Sequence, residues 1–249
     1  MPAANVREIL RMPDITAVPL CRPQDRGVIN LRGRIIPLID MRKQFGWRSV
    51  PEELDDFYKL MNRREEDHRN WLKELEKSVM EGTEFRLATD PHKCAFGQWY
   101  YSYRSNSPWI TTLLRKFEPP HNRIHAIASS TSELVKTRDN DEARRLIEQT
   151  RNGELQGMVS LFQQLKELTR ETVKELAMVI TATQNTFAIS IDRAVAVETI
   201  PTDLIKEMQT DVFSPECRFV RRVAERSTAR SLTMILEPEM FGVCAAPSR

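Results

Sequence analysis

Gly27-Val28-Ile29-Asn30-Leu31-Arg32-Gly33-Arg34-Ile35-Ile36-Pro37-Leu38-Ile39-Asp40-Met41-Arg42 is the stretch from which the fold is read. Two apolar runs, Val28 to Leu31 and Arg34 to Ile39, flank Arg32-Gly33, and a glycine in so short a connection predicts a hairpin. Asp40 is placed to cap a short helix from Met41 to Phe45, because its carboxylate can accept from amides that a helix start leaves free. Gly46 then supplies the left-handed residue that ends it. Outward on the N-terminal side, from Val6, short apolar runs are broken by Pro13, Pro19 and Pro23, a pattern of strands and turns.

Beyond Pro51 the apolar period changes from that of a strand to that of a helix. Leu54, Phe57, Leu60, Met61, His68, Trp71, Leu72, Leu75 and Val79 form one seam through a helix that ends near Gly82. Shorter helices are predicted near Phe96 and Pro108. Pro119-Pro120 ends the incoming turn and opens a helix carrying His121 to Val135. Asp139 or Asn140 caps a last long helix whose stripe runs from Leu146 through Met158, Phe162 and Leu165 to Val173. Four main helices of this kind predict an antiparallel four-helix bundle.

After Leu176 the period of two returns. Phe187, Ile189 and Ile191 alternate with Ala188, Ser190 and Asp192, which predicts a half-buried strand after a turn at Thr183-Gln184-Asn185. Phe219 to Ala224 and Ser231 to Leu236 form another candidate pair around Ser227-Thr228-Ala229. Neither β segment has enough strands for a barrel. Residues 1–50 and 177–249 are therefore read as halves of one domain, with 51–176 inserted, in an α+β fold. Such insertions are tolerated because closure entropy rises slowly with loop length.

A chain of 249 residues, 41% hydrophobic and 29% charged, has ample material for a core. Its net charge of +2, with signs interspersed, gives no electrostatic footprint for nucleic acid. Cys21, Cys94, Cys217 and Cys244 are widely separated and no apolar leader follows Met1, so reduced thiols and a cytoplasmic location are expected. Apolar runs such as Leu176 to Ile180 fall far short of the roughly 20 residues a spanning helix needs, so membrane insertion is not expected.

All 4 histidines lie between His68 and His125, on the helical stretch that also holds Cys94. Neutral imidazole and thiolate are the donors zinc prefers. His121 and His125 stand four apart and project from one helix face. His68 sits on an apolar seam, where an unpaired imidazole is costly, and Cys94 precedes a helix start, where thiolate is favoured. The plainer account makes His68 a satisfied core histidine, Cys94 a small buried hydrophobe and the pair a surface feature. His92 rivals for one ligand position but lies in Asp90-Pro91-His92, read as a mobile turn. Four protein donors leave no position for a substrate water, which favours a structural or sensing site over a hydrolase. The zincin pattern also fails, since Asn122 and Arg123 stand where that motif has its glutamate. No phosphate-cradling glycine loop and no Gly-x-Ser-x-Gly elbow is present.

The aromatic run Trp99-Tyr100-Tyr101-Tyr103 is read as packing with hydroxyls at the rim, and Arg221-Arg222 as a solvated edge strand. Arg32, at a hairpin tip with little packing role, is a candidate partner contact.

Val6-Arg7-Glu8-Ile9 and above all Gly27 to Arg42, with its Ile-Asn-Leu-Arg-Gly core, resemble the CheW family of chemotaxis coupling proteins. Phe187 to Val195 is similar to that family's Val-Asp-x-Val strand, and Ile235 to Phe241 to its closing segment. The insert resembles the chemoreceptor zinc-binding domain, CZB: His68 to Trp71 matches its His-x-x-Trp, Cys94 to Trp99 its Cys-x-x-Gly-x-Trp, and His121 to His125 its His-x-x-x-His. The resemblance implies zinc (Zn2+) on His68, Cys94, His121 and His125. It also implies two small β-barrels split by the bundle. It further implies a noncatalytic adaptor joining the histidine kinase CheA to chemoreceptor cytoplasmic tips in receptor arrays, with Glu8, Asn30 and Arg32 on or supporting the partner surface. A homodimer through the bundle is compatible with it. Only five residues precede Val6, where the family has a strand or more, so an incomplete first barrel is expected. Arg222 stands where glycine is common, and Glu237 where aspartate is common. Two other functions remain open: a zinc-dependent enzyme, and a zinc buffer with degenerate adaptor halves.

Overall fold

β1 (Val6–Arg11) and the two-residue β2 (Ile15–Thr16) lead into the predicted hairpin, β3 (Asp25–Leu31) and β4 (Arg34–Asp40), in the computed structural model, which describes residues 1–183, 185–208, 219–226 and 231–241. Arg32 and Gly33 have φ of 53° and 83°, the pair of left-handed residues that a two-residue turn matching strand twist requires. Asn30 Oδ1 accepts from the Gly33 amide at 2.9 Å and supports the turn from within. Asp40 caps α1 (Met41–Gln44) by accepting from the Lys43 amide at 3.1 Å, and Gly46 follows at φ 74°.

β5 (Leu176–Ala182) and β6 (Asn185–Ile191) join these strands in a sheet of order β1-β5-β6-β4-β3-β2. Its one parallel pairing, Leu38–Asp40 against Ala188–Ser190, stitches the earlier β segment to the later one. Phe187 through Ser190 are all buried, so β6 is not the half-buried strand its alternation predicts. The reason is its central place: Phe187 and Ile189 pack with Ile39, Ile180 and Phe241, while Ala188 packs with Leu38 and Val179 in a second cluster. Half-buried Arg26 donates to Glu175 at 2.6 Å and lies 3.9 Å from Asp40, tying the start of β5 to β3 and β4.

The barrel expectation is corrected, since among the described residues both sheets are open. β2 has two residues, flanked by Pro13 and Pro19, and bonds only to β3, so it offers no ladder on which β1 could close the sheet. β7 (Ile205–Glu207), β8 (Val220–Arg226) and β9 (Ser231–Leu236) form a separate antiparallel sheet in that order. β8 is thus central rather than an edge. Arg222 Nε donates to Glu237 Oε1 at 2.7 Å instead of facing solvent alone. Gln184 and the proposed turn at 227–229 lie outside the described residues.

Met1–Val50 and the described residues from Lys174 form one compact unit, Pro51–Val173 the other. The second is helical: α2 (Val50–Glu81), α3 (Ala95–Ser102), α4 (Pro108–Arg115), α5 (Glu118–Lys136), α6 (Asn140–Thr150) and α7 (Gln156–Thr172). Met61, Leu72, Leu75, Met158, Phe162 and Leu165 from the seams read in the sequence fill its core together with Phe96, Phe117 and Ile124, while Val173, read as the end of the last stripe, is exposed. Trp99, Tyr100 and Tyr103 pack against it, while Tyr101 stacks on His92. The single last helix expected from the pattern is broken by a π-helical turn, Arg151–Leu155. Arg151 there pairs with Glu76 and Glu148, and Glu154 with Arg123 at 3.1 Å, while Leu155 enters the core.

Candidate metal centre

Three elements bring four donor residues together. α2 presents His68, whose Nδ1 lies 2.8 Å from the Arg64 carbonyl one turn earlier. That carbonyl can only accept, so Nδ1 carries the proton and Nε2 keeps its lone pair. Cys94 caps α3, its sulfur accepting from the Gly97 amide at 3.2 Å. α5 presents His121 and His125 from one face, with His121 Nε2 at 3.2 Å from Cys94 Sγ. One ligand atom from each of His68, Cys94, His121 and His125 lies within 4.8 Å of the others. His92 stays outside this set, exposed and paired with Asp90 at 3.2 Å.

The surroundings explain the geometry. A Cβ on Gly97 would meet the Pro91 carbonyl at 1.8 Å, so only glycine lets the chain before Cys94 lie against the first turn of α3. Trp71, one turn beyond His68, packs on His125 with ring centroids 4.9 Å apart and donates its indole N–H to the Ala88 carbonyl at 2.9 Å. Phe96 sets its ring edge-on to His68 and His121, at 5.5 and 4.9 Å. The positioning parts played by Trp71, Phe96, Gly97 and the Arg64 carbonyl were not read from the sequence as such. The only signal was their spacing from His68 and Cys94.

His68, His121 and His125 are 3%, 0% and 2% exposed, yet His68 Nε2, His121 Nδ1 and both nitrogens of His125 have no hydrogen-bond partner. Each orphaned buried group costs about 1–3 kcal/mol, so four of them in one cluster fit an electron-pair acceptor better than a simple core. A proton does not serve. Burial, reinforced by the neighbouring imidazoles, pushes His121 down to about 3 and His125 down to about 4, and burial lowers His68 as well. The rings are neutral at neutral pH and their lone pairs are free. The expectation of a thiolate preformed by the helix terminus is corrected: burial raises the Cys94 thiol, outweighing the Gly97 and Phe96 amides that lower it. A metal would displace that proton on binding. Three imidazoles and one sulfur suit zinc and not the oxygen-seeking magnesium or calcium.

The other candidates lie in the β unit. Glu8 Oε2 accepts from Arg32 Nη2 at 2.9 Å, and Arg32 keeps 82% of its side-chain surface in water. Asn30 is committed to the turn. Glu8 and Arg32 form a charged pair at the sheet edge, with Asn30 in a supporting role.

Residues 68–131 match the chemoreceptor zinc-binding domain family, and residues 1–67 match the CheW-like domain family. Both resemblances named from the sequence are borne out. The first match contains all four donor residues and the second contains Glu8, Asn30 and Arg32. The CheW-like match runs past Val50 into α2, so its end is not a structural boundary. The chemotaxis protein CheW of Thermotoga maritima is 48% identical over 42 residues, 17% of this chain and 28% of that protein. The chemotaxis protein CheW of Treponema pallidum is 35% identical over 54 residues, 22% of this chain and 32% of that protein. The chain thus spans less than a third of either relative's own length. The crystal structure of the scaffolding protein TtCheW from Thermoanaerobacter tengcongensis aligns over 94% of this chain and 77% of its own, at 13% identity and a TM-score of 0.40, too low to establish a shared fold. No helix among the described residues is long and apolar enough to cross a membrane.

Proposed function

We propose that the chain is a noncatalytic chemotaxis adaptor that couples chemoreceptor tips to the kinase CheA, and that its helical insert is a zinc-binding sensor. The observation that carries this reading is the convergence of His68, Cys94, His121 and His125, within 4.8 Å, in a chain whose first 67 residues are CheW-like. Zinc, when bound, would supply a cross-link among α2, α3 and α5. His68 and Cys94 are held ready by the Arg64 carbonyl and the Gly97 amide.

The insert leaves the six-stranded sheet after β4 and returns into β5, and both strands bond to β6. A change in helical packing on zinc occupancy or on oxidation of Cys94 would therefore act at two places in one sheet, which also carries Glu8 on β1 and Arg32 beside β3. Those two residues, with Asn30 shaping the turn, are the proposed partner contact. The four-helix-bundle architecture, residues 177–249 as the second CheW-like half, a place at cytoplasmic receptor arrays and a homodimer through the bundle belong to the same reading. Four converging protein donors speak against the zinc-enzyme alternative, because a closed set leaves no position for a reacting water.

Native mass spectrometry of the full chain tests the site: one zinc per chain is expected, and none in Cys94→Ser. Pull-down with CheA and receptor tips tests the adaptor. Arg32→Glu is expected to weaken capture at least tenfold. Zinc binding without any capture would leave a zinc buffer in place of the adaptor.

A further inference from the structure

We propose that a cleft beside His125 is the route by which zinc reaches and leaves the four donors, and that His125 is the ligand that swings aside. This rests on the zinc-binding reading above and adds to it a direction of approach. His68, His121 and His125 are 3%, 0% and 2% exposed, so no ion meets any of the three rings until a side chain moves. A cleft of about 550 Å³ opens between the end of α2, the segment after it and α5, and of the four donor residues it is His125 that lines it. Ser78, Thr83, Thr89, Ser129 and Ser132 give its walls a run of hydroxyls. At about 30 Å³ per water, an ion with six waters occupies less than half of that space. Its charged lining, Glu84 and Lys136, is balanced, so the cleft admits a cation without trapping it.

Cys94 is half-buried, the most exposed of the four donors, and one side of its sulfur is covered. The Pro91 carbonyl lies 3.4 Å from the sulfur, pressed against the start of α3 at Gly97. The donors are also held unequally. His68 is fixed through Nδ1 by the Arg64 carbonyl, and Cys94 by the Gly97 amide. His125 makes no full hydrogen bond on either nitrogen, feels only a weak attraction to the Ala88 and Thr89 carbonyls, and is held by packing against Trp71 and His121, at 4.9 and 4.8 Å between centroids. Turning its ring toward the cleft gives up only the weak attraction of those two carbonyls, whereas turning His68 breaks a 2.8 Å hydrogen bond. The exchanging ligand is thus the one that both touches the cleft and is least restrained.

Stopped-flow mixing of the zinc-free full chain with zinc ion, and of the loaded chain with a chromophoric chelator, measures both rates. Ser129→Phe and, independently, Ala126→Phe place a ring in the cleft from exposed positions on α5, and Lys93→Phe places one on the Cys94 side. Both cleft variants are expected to slow uptake and release at least tenfold by a common factor, leaving Kd unchanged, with Lys93→Phe at wild-type rates. Wild-type rates in both cleft variants, slowing by Lys93→Phe instead, or a changed Kd in both cleft variants would overturn the route. A wild-type chain that takes up no zinc would instead remove the zinc reading itself, and the route with it.

Discussion

Arg26, Asp40 and Glu175 in the β unit, and His68, His121 and His125 in the helical unit, are both clusters of wholly or largely buried polar side chains, but only the first is satisfied from within. Arg26 finds Glu175 at 2.6 Å and has Asp40 close by, and Asp40 also accepts from the Lys43 amide. The histidines leave four ring nitrogens without partners. Buried polar atoms are almost always paired because an orphan forfeits its hydrogen bonds to water without replacement. The first cluster is therefore a structural lock, complete as the chain folds, and the second is a site whose partner has to arrive.

The unpaired rings predict a response to acid. The unfolded-state histidine pKa is near 6.5, whereas burial holds His121 and His125 at about 3 and about 4 in the folded chain. As pH falls the unfolded chain takes up protons first, so their contribution to stability is intact above about 6.5 and is lost progressively down to about 4 for His125 and about 3 for His121. At about 1.4 kcal/mol per pH unit per ring, the zinc-free helical unit is expected to lose about 4 kcal/mol between pH 8 and pH 5. Denaturant titration in chelator, read by tryptophan fluorescence in Trp47→Phe, isolates the helical unit, since Trp71, Trp99 and Trp109 remain. A flat profile would mean that the rings are not buried neutral bases.

The lock is broken from the other side by Glu175→Ala, which strands the Arg26 guanidinium. Removing one partner of a buried pair costs about 3–5 kcal/mol. The low end, about 3 kcal/mol, is expected because Arg26 keeps 19% of its side-chain surface in water. The loss should show in the β unit, followed through Trp47 in a chain lacking the other tryptophans, and zinc should not restore it. Rescue by zinc would mean that the two clusters are not independent.

Gly97→Ala sharpens the comparison inside the helical unit. Its methyl would meet the Pro91 carbonyl at 1.8 Å, and relieving such an overlap costs about 2 kcal/mol. The segment that must move carries Cys94, so zinc affinity measured by chelator competition is expected to fall at least tenfold. Unchanged affinity would show that the sulfur is placed by α3 alone.

What was legible in the sequence was what depends on near neighbours. The hairpin follows from Arg32-Gly33 between β-prone runs, the cap from Asp40, and the shared face of His121 and His125 from four-residue spacing. What was not legible depends on residues far away. β6 is buried on both faces because β4 and β5 flank it, and small Ala188 and Ser190 look solvent-facing when read alone. The π-helical turn is supported by Arg151 pairing with Glu76, 75 residues distant. Arg222 and Glu237 each read as a departure from the family pattern, yet they pair with each other at 2.7 Å. For Cys94 the capping position was visible and the burial was not, so the sign of its shift was misread.

The smallest effect separates packing from hydrogen bonding around the donors. Trp71 both packs on His125 and donates to the Ala88 carbonyl, and Trp71→Phe keeps a ring at the first contact while removing the second. A neutral hydrogen bond of this kind contributes about 1 kcal/mol. The variant is expected to lose that much stability and to keep its zinc affinity within a fewfold, because no donor loses a bond of its own. Amide exchange should quicken at 83–89, the segment that the indole holds and that lines the cleft beside His125. A large loss of affinity instead would mean that Trp71 positions His125 through the Ala88 bond, and that the least restrained of the four donors is held more firmly than its own empty nitrogens indicate.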